Sequence, residues 1–270
     1  MFCANVVRMS HHEDSRPSID PAPASGGRWR VEVVEETTST NAAVSERFLA
    51  GEAEGLVLVA EHQTSGRGRL GREWVAPARS SLIVSFLIVP DAVAPERWPW
   101  LPLLTGLAAA GAVRRVTGLE VGLKWPNDVV LDGRKLGGIL LERVDRDGEA
   151  AAVVGIGLNC SQTAEELPVA EATSLELVGA GTVDRTALLG ALVEELGQVL
   201  DRWLAGVDLR AEYVALCTTP GQQVRVAVPG GEVTGAAVDV DGAVRLVVQT
   251  DAGEEHLGAG DVVHVRPQVT

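Results

Sequence analysis

Between residues 121 and 159 the chain turns back on itself with no room for a helix. The stretch "VGLKWPNDVVLDGRKLGGILLERVDRDGEAAAVVGIGLN" is a row of apolar runs divided by short turn signals. Pro126 breaks the first run, "DGR" at 132–134 is a hairpin-type turn, and "RDG" at 146–148 joins the next two runs. Strands joined this closely run antiparallel, because a parallel pair needs a long crossover. That argues for a mixed or antiparallel sheet and against a doubly wound dinucleotide-binding fold.

The rest of the chain fits an α+β class. "RWRVEVVEE", "EGLVLVAEHQT" and "RSSLIVSFLIVP" read as strands, the last long enough to cross a sheet. A short helix follows residue 39, capped by Thr40 or Asn41 and ended by Gly51. A second helix is expected from about Leu101 to Val116, and a third from the N-cap Asp184 to about Leu204. After Pro220 the pattern changes to short alternating strands and Gly-rich turns, which read as a small all-β barrel. The expected organisation is a disordered tail at 1–27, a catalytic domain at 28–214 and a barrel at 215–270.

Composition limits the function. A net charge of -14 argues against wholesale nucleic-acid binding, although a local basic pocket can still hold a small anion. The apolar runs are short of a membrane span. Cys3, Cys160 and Cys217 are too dispersed for a disulfide framework or a metal knuckle, so a reducing cytoplasm is the expected setting. The five histidines show no ligand spacing, and no zinc site is expected.

Against that acidity, "TSGRGRLGREW" at 64–74 gathers Arg67, Arg69 and Arg72 among Gly66, Gly68 and Gly71. Arginine forks suit phosphate and carboxylate, and glycines admit backbone amides to an anion. A surface loop paired with the many acids is the other reading. The spacing is neither a dinucleotide fingerprint nor a phosphate loop. In "KWPNDVVLDGRKLGG", 124–138, turns bring Lys124, Asn127, Asp128 and Lys135 together. The block is either a phosphate-handling site, with Asp128 able to hold magnesium or accept a proton, or a polar turn. Trp74 either stacks on a flat ring or packs in the core. Asn159 either bonds a ligand at the end of its strand or is an ordinary turn residue.

Taken together these blocks resemble the biotin protein ligases. The pieces are "TTSTN" at 37–41, "EHQTSGRGRLGREW" at 61–74, "SLIVS" at 81–85, "KWPNDV" at 124–129, "GRKLGGILLE" at 133–142 and "GIGLN" at 155–159. They follow the family's order and cover about residues 30–210. The resemblance implies a class II aminoacyl-tRNA synthetase-like catalytic fold with an SH3-like C-terminal barrel. It implies that biotin and ATP give biotinyl-5'-AMP with Mg2+, and that a lysine of a biotin carboxyl carrier domain then takes the biotin. The carrier expected is that of an acyl-CoA carboxylase or pyruvate carboxylase.

Carried over by resemblance, Ser39, Thr40, Asn41, Gln63, Gly66, Arg67, Lys135 and Gly137 belong to biotin. Arg69, Arg72, Trp74, Lys124, Asn127 and Asn159 belong to ATP and the adenylate, with Trp74 and Asn159 on adenine. Lys135, Arg69, Arg67 and Asp128 carry the catalysis, Lys135 on the carboxylate and Asp128 orienting or deprotonating the acceptor lysine. Leu70 stands where some relatives have another arginine. The arginine loop is expected to close over the adenylate. Only about 30 residues precede the catalytic region, too few for the DNA-binding domain of some relatives. The expectation is therefore a monomer or weak homodimer with no nucleic-acid or membrane partner. Two other readings remain: ligation of lipoate or octanoate on the same fold, and a non-catalytic biotin- or adenylate-binding protein.

Overall fold

The computed structural model describes residues 16–258 and 260–264. Through residue 159 its strands are β1 (Arg30–Thr37), β2 (Leu56–Gln63), β3 (Gly66–Arg67), β4 (Glu73–Trp74), β5 (Ser81–Ile88), β6 (Gly122–Lys124), β7 (Asp128–Leu131), β8 (Arg134–Arg146) and β9 (Glu149–Asn159). Seven of them form one sheet in the order β1-β2-β5-β9-β8-β7-β6, while β3 and β4 make a separate hairpin. β1 and β2 are parallel, joined through α1 (Thr40–Leu49), and the other pairings are antiparallel. The sheet is thus mixed, as the close turns require. At Asp132-Gly133 and Asp147-Gly148 both residues have positive φ, the geometry of the tightest hairpin turns.

Both faces of the sheet are covered. α2 (Trp100–Thr117) and α3 (Arg185–Leu204) lie on one side and α1 on the other. This is why β5 is apolar without alternation: Leu82, Val84, Phe86 and Ile88 face the large core, and Leu87 faces the smaller core under α1. Asp184 caps α3, its Oδ1 accepting from Ala187 N at 3.0 Å. The cap of α1 corrects the sequence reading: it is Ser39, whose Oγ accepts from Ala42 N at 3.5 Å. Thr40 and Asn41 are left buried in the first turn with their side chains turned inward.

A short α4 (Arg210–Leu216), not foreseen in the sequence, buries Tyr213 and leads to the C-terminal strands. These are β10 (Gln223–Val228), β11 (Gly231–Val240), β12 (Leu246–Thr250), β13 (Gly253–Leu257) and β14 (Asp261–His264), antiparallel in the order β13-β12-β11-β10-β14. The expected small all-β unit is present, and among the described residues its ladder stays open rather than closing, with β13 and β14 at its edges. Val224, Val226, Val240, Leu246 and Val248 share one apolar cluster with the main sheet. The sheet is pinned by Trp125 and Trp100, whose indole N–H groups donate to Val244 O at 2.8 Å and Gly242 O at 3.3 Å.

The expected tail also needs correction. Residues 1–15 lie outside the described residues, but residues 16–27 pack on the domain with Ile19 and Ala24 buried. The anchor is a buried ion pair. Glu61 Oε2 takes Arg185 Nη1 at 2.7 Å, Glu61 Oε1 accepts from Ile19 N at 2.6 Å, and Arg185 Nη2 donates to Pro17 O at 2.5 Å. Among the described residues no helix is long and apolar enough to cross a membrane.

Candidate active site

A cleft opens on the α1 face of the sheet, and its floor is built of glycine. Register sets Ile83, Gly157 and Gly138 side by side on β5, β9 and β8, with Ser85, Gly155 and Leu140 in the next row. Residues two apart on a strand share a face, so "GIG" places both glycines toward the cleft. A Cβ at Gly155 would lie 2.2 Å from Asn41 Oδ1, and one at Gly157 would lie 2.5 Å from Trp74 Cε2. The glycines thus make room for two side chains that rest on the sheet, Asn41 at one end and Trp74 at the other.

The Asn41 end is a polar recess. Gln63 Oε1, at the end of β2, accepts from Thr40 N at 2.7 Å and Thr40 Oγ1 at 3.0 Å. The buried Ser85 hydroxyl lies 2.7 Å from Thr40 Oγ1 and 2.6 Å from Asn41 Oδ1. Asn41 Nδ2 donates to Glu142 Oε2 at 2.8 Å. Ser39, Thr40, Asn41 and Gln63 all line the cleft.

Over the other end lies the arginine segment, folded as a hairpin. Gly66 faces Trp74 and Arg67 faces Glu73, and Gly68 N donates to Arg72 O at 2.7 Å. Arg67, Arg69 and Arg72 line the cleft. Arg67 reaches the Glu142 carboxylate at 3.3 Å, and Arg69 Nη1 donates to Asn127 Oδ1 at 2.8 Å. Leu70 sits at the tip with φ 57° and is 74% exposed. Trp74 is half-buried, and its Nε1 is buried with no hydrogen-bond partner among the described residues.

Lys135 enters from β8. Its backbone is clamped on both sides, N donating to Glu171 O at 2.7 Å and O accepting from Thr173 N at 2.8 Å. The side chain runs past Gly138 to Asp128, with Nζ 2.6 Å from Oδ1. Asn127 is fixed by Nδ2 donating to Ile139 O at 2.9 Å. Asn127, Asp128 and Lys135 all line the cleft.

Four of the expected residues fall elsewhere. Asn159 is buried outside the cleft lining, its Nδ2 donating to Thr173 O at 2.9 Å and its Oδ1 accepting from Gln162 Nε2 at 3.0 Å, bonds that hold the 159–174 segment. Gly137 packs against Leu158, and its neighbour Gly138 faces the cleft instead. Gly66 lies in the hairpin stem, where a Cβ would meet Trp74 O at 2.4 Å. Lys124 sits on β6 opposite Asp128 and outside the cleft lining. Sequence reasoning passed over Ser85, Glu142 and the glycine floor. The period-two glycines of "GIG" were the available signal. Among the described residues no group of three or more His, Cys, Asp or Glu could hold a metal.

The chain matches the Biotin/lipoate A/B protein ligase family over residues 32–159 and the Biotin protein ligase C terminal domain over residues 219–265. It is 41% identical over 260 residues to a biotin--[acetyl-CoA-carboxylase] ligase of Mycobacterium tuberculosis, covering 94% of this chain and 96% of that protein. A protein of the same description from Paracoccus denitrificans is 28% identical, over 84% of this chain and 97% of its own length. Among solved structures, the biotin protein ligase of Aquifex aeolicus in complex with biotin and ATP superposes with a TM-score of 0.76. The two are 28% identical over 87% of this chain and 98% of that one. The order of the blocks, the mixed sheet and a relative matched over nearly its whole length agree: the chain belongs to the biotin protein ligase family.

Proposed function

We propose that this chain activates biotin with ATP to biotinyl-5'-AMP and transfers the biotin to a lysine of a carboxylase carrier domain. The observation that carries this is the junction of three features in one cleft: an amide-lined recess, a hairpin bearing three arginines, and the clamped Lys135. Thr40, Gln63, Asn41 and Ser85 offer donors and acceptors to a ureido ring, with Ser39 closing the wall. A fatty acyl chain could hydrogen-bond none of these groups, whereas a ureido ring can bond several. This favours biotin over lipoate or octanoate.

In the first step a biotin carboxylate oxygen attacks the α-phosphorus of ATP, and pyrophosphate leaves with the electrons of the broken bond. Negative charge grows on the phosphoryl oxygens. Lys135, Arg67, Arg69 and Arg72 meet it with donors held by the fold, where one such donor is worth about 3 kcal/mol. Trp74, propped on Gly157 and Gly138, offers a flat face to adenine. In the second step the acceptor amine attacks the carbonyl carbon and AMP departs. Asp128 orients the incoming amine from its place beside Lys135. No cluster among the described residues would cage magnesium, so Mg2+ would arrive on the nucleotide's phosphates, its usual mode of binding.

We assign the chemistry to residues 28–214 and carrier docking to residues 215–270. The carrier domain of an acyl-CoA carboxylase or pyruvate carboxylase is the acceptor of choice. The net charge of -14 supports a protein partner over nucleic acid. A monomer or weak homodimer in the cytoplasm completes the reading. Incubating the protein with biotin, ATP, Mg2+ and a purified carrier domain tests it. One biotin on one carrier lysine is expected, and an unlabelled carrier contradicts the proposal.

A further inference from the structure

The activated product of this reading is an amine-directed acyl anhydride, and the enzyme's own amine beside it is Lys135. Groups held together in a site react as though at effective concentrations of about 10^5 M or more. Proximity alone would therefore favour attack by an amine built into the cleft. Something else has to keep Lys135 from attacking the carbonyl it attends.

The geometry points to Asp128 as that guard. Its Oδ1 stands 2.6 Å from Lys135 Nζ, and the clamp on the Lys135 backbone fixes the direction from which the side chain arrives. A nitrogen engaged as a four-bonded donor to a carboxylate has no lone pair to give. It can stabilise a growing oxyanion and cannot become an acyl acceptor. Asp128 thus separates two roles that lysine chemistry permits, charge stabilisation by Lys135 and nucleophilic attack by the lysine of the carrier. The self-acylation that it prevents would form a C–N bond to Lys135, break the C–O bond to phosphate, expel AMP and release one amine proton to solvent. The inference rests on the reading proposed above.

The composition makes the inference readable by mass. Of the chain's 23 lysines and arginines, only Lys124 and Lys135 are lysines. Guanidinium groups remain protonated and do not compete. Protein is incubated with biotin, ATP and Mg2+ without a carrier, and in parallel with chemically made biotinyl-5'-AMP. Labelling is then read by intact mass and peptide mapping. Wild-type protein is expected to leave Lys135 unlabelled. Asp128→Asn and Asp128→Ser are expected to raise labelling at Lys135 at least tenfold, and Asp128→Glu to return it to the wild-type level. Adding Lys135→Arg to Asp128→Asn is expected to remove the label. The parallel arm keeps the test valid for a variant that no longer makes adenylate. Lys135 unlabelled in both variants despite bound adenylate, or labelled equally in the wild type, overturns the guard. A wild type that binds no added adenylate overturns the functional reading, and this inference with it.

Discussion

Arg69, on the glycine-rich hairpin, donates to Asn127 Oδ1 at 2.8 Å, and Asn127 in turn donates to Ile139 O on β8. Two blocks 58 residues apart in sequence are thereby fastened together at the mouth of the cleft. Asn127 acts as the catch that holds Arg69 over the site. Arg69→Ala is expected to shorten the half-life of bound adenylate about 100-fold, the equivalent of about 3 kcal/mol. Asn127→Ala removes the catch while keeping Arg69 and is expected to shorten it about tenfold. Release of radiolabelled adenylate after rapid dilution measures both, and unchanged half-lives contradict the assignment.

The Trp74 indole depends on the absence of a side chain beneath it. Gly157→Ala would place a methyl 2.5 Å from Cε2, so the ring must lift. The KM for ATP is expected to rise about tenfold, with biotin affinity within about threefold of wild type. Isothermal titration with biotin and initial rates against ATP separate the two. An unchanged KM for ATP would place adenine elsewhere.

What the sequence made legible was local. Asp184 and the apolar spacing after it marked α3, the Asp-Gly pairs marked two hairpins, and Arg67, Arg69 and Arg72 announced themselves by clustering among glycines in so acidic a chain. What it hid depended on partners far along the chain. Ser39, Thr40 and Asn41 are all competent caps, and Ser85 decides between them by taking Thr40 and Asn41 inward. Residues 16–27 read as a tail because the Glu61–Arg185 pair that anchors them spans 124 residues. The glycine floor was visible only as excess glycine until strand register placed three of them together.

The same ion pair predicts an unequal cost. Glu61 is 1% exposed and Arg185 5% exposed. Arg185→Met strands a buried carboxylate and is expected to destabilise the protein by about 3–5 kcal/mol. Replacing both, Glu61→Leu with Arg185→Met, is expected to recover at least half of that loss. Urea denaturation measures each. A double variant as unstable as the single one would show that the pair's worth lies in anchoring residues 16–19.

Burial pushes the Cys160 thiol up to about 12, against which the nearby Arg185 charge and a backbone hydrogen bond from Leu82 act only weakly. The thiolate is the reactive form, so Cys160 stays inert near neutral pH. Iodoacetamide at pH 8 is expected to leave Cys160 unmodified in folded protein and to modify it after unfolding in urea. Fast alkylation of folded protein at Cys160 would contradict its burial in the main core.

The central claim is that the cleft joins biotin to the α-phosphate of ATP. Pyrophosphate exchange into ATP tests it most directly, with biotin, lipoate and octanoate supplied separately. The account predicts exchange with biotin and none above background with either fatty acid. Exchange driven by lipoate or octanoate, or no exchange with any of the three, would contradict it.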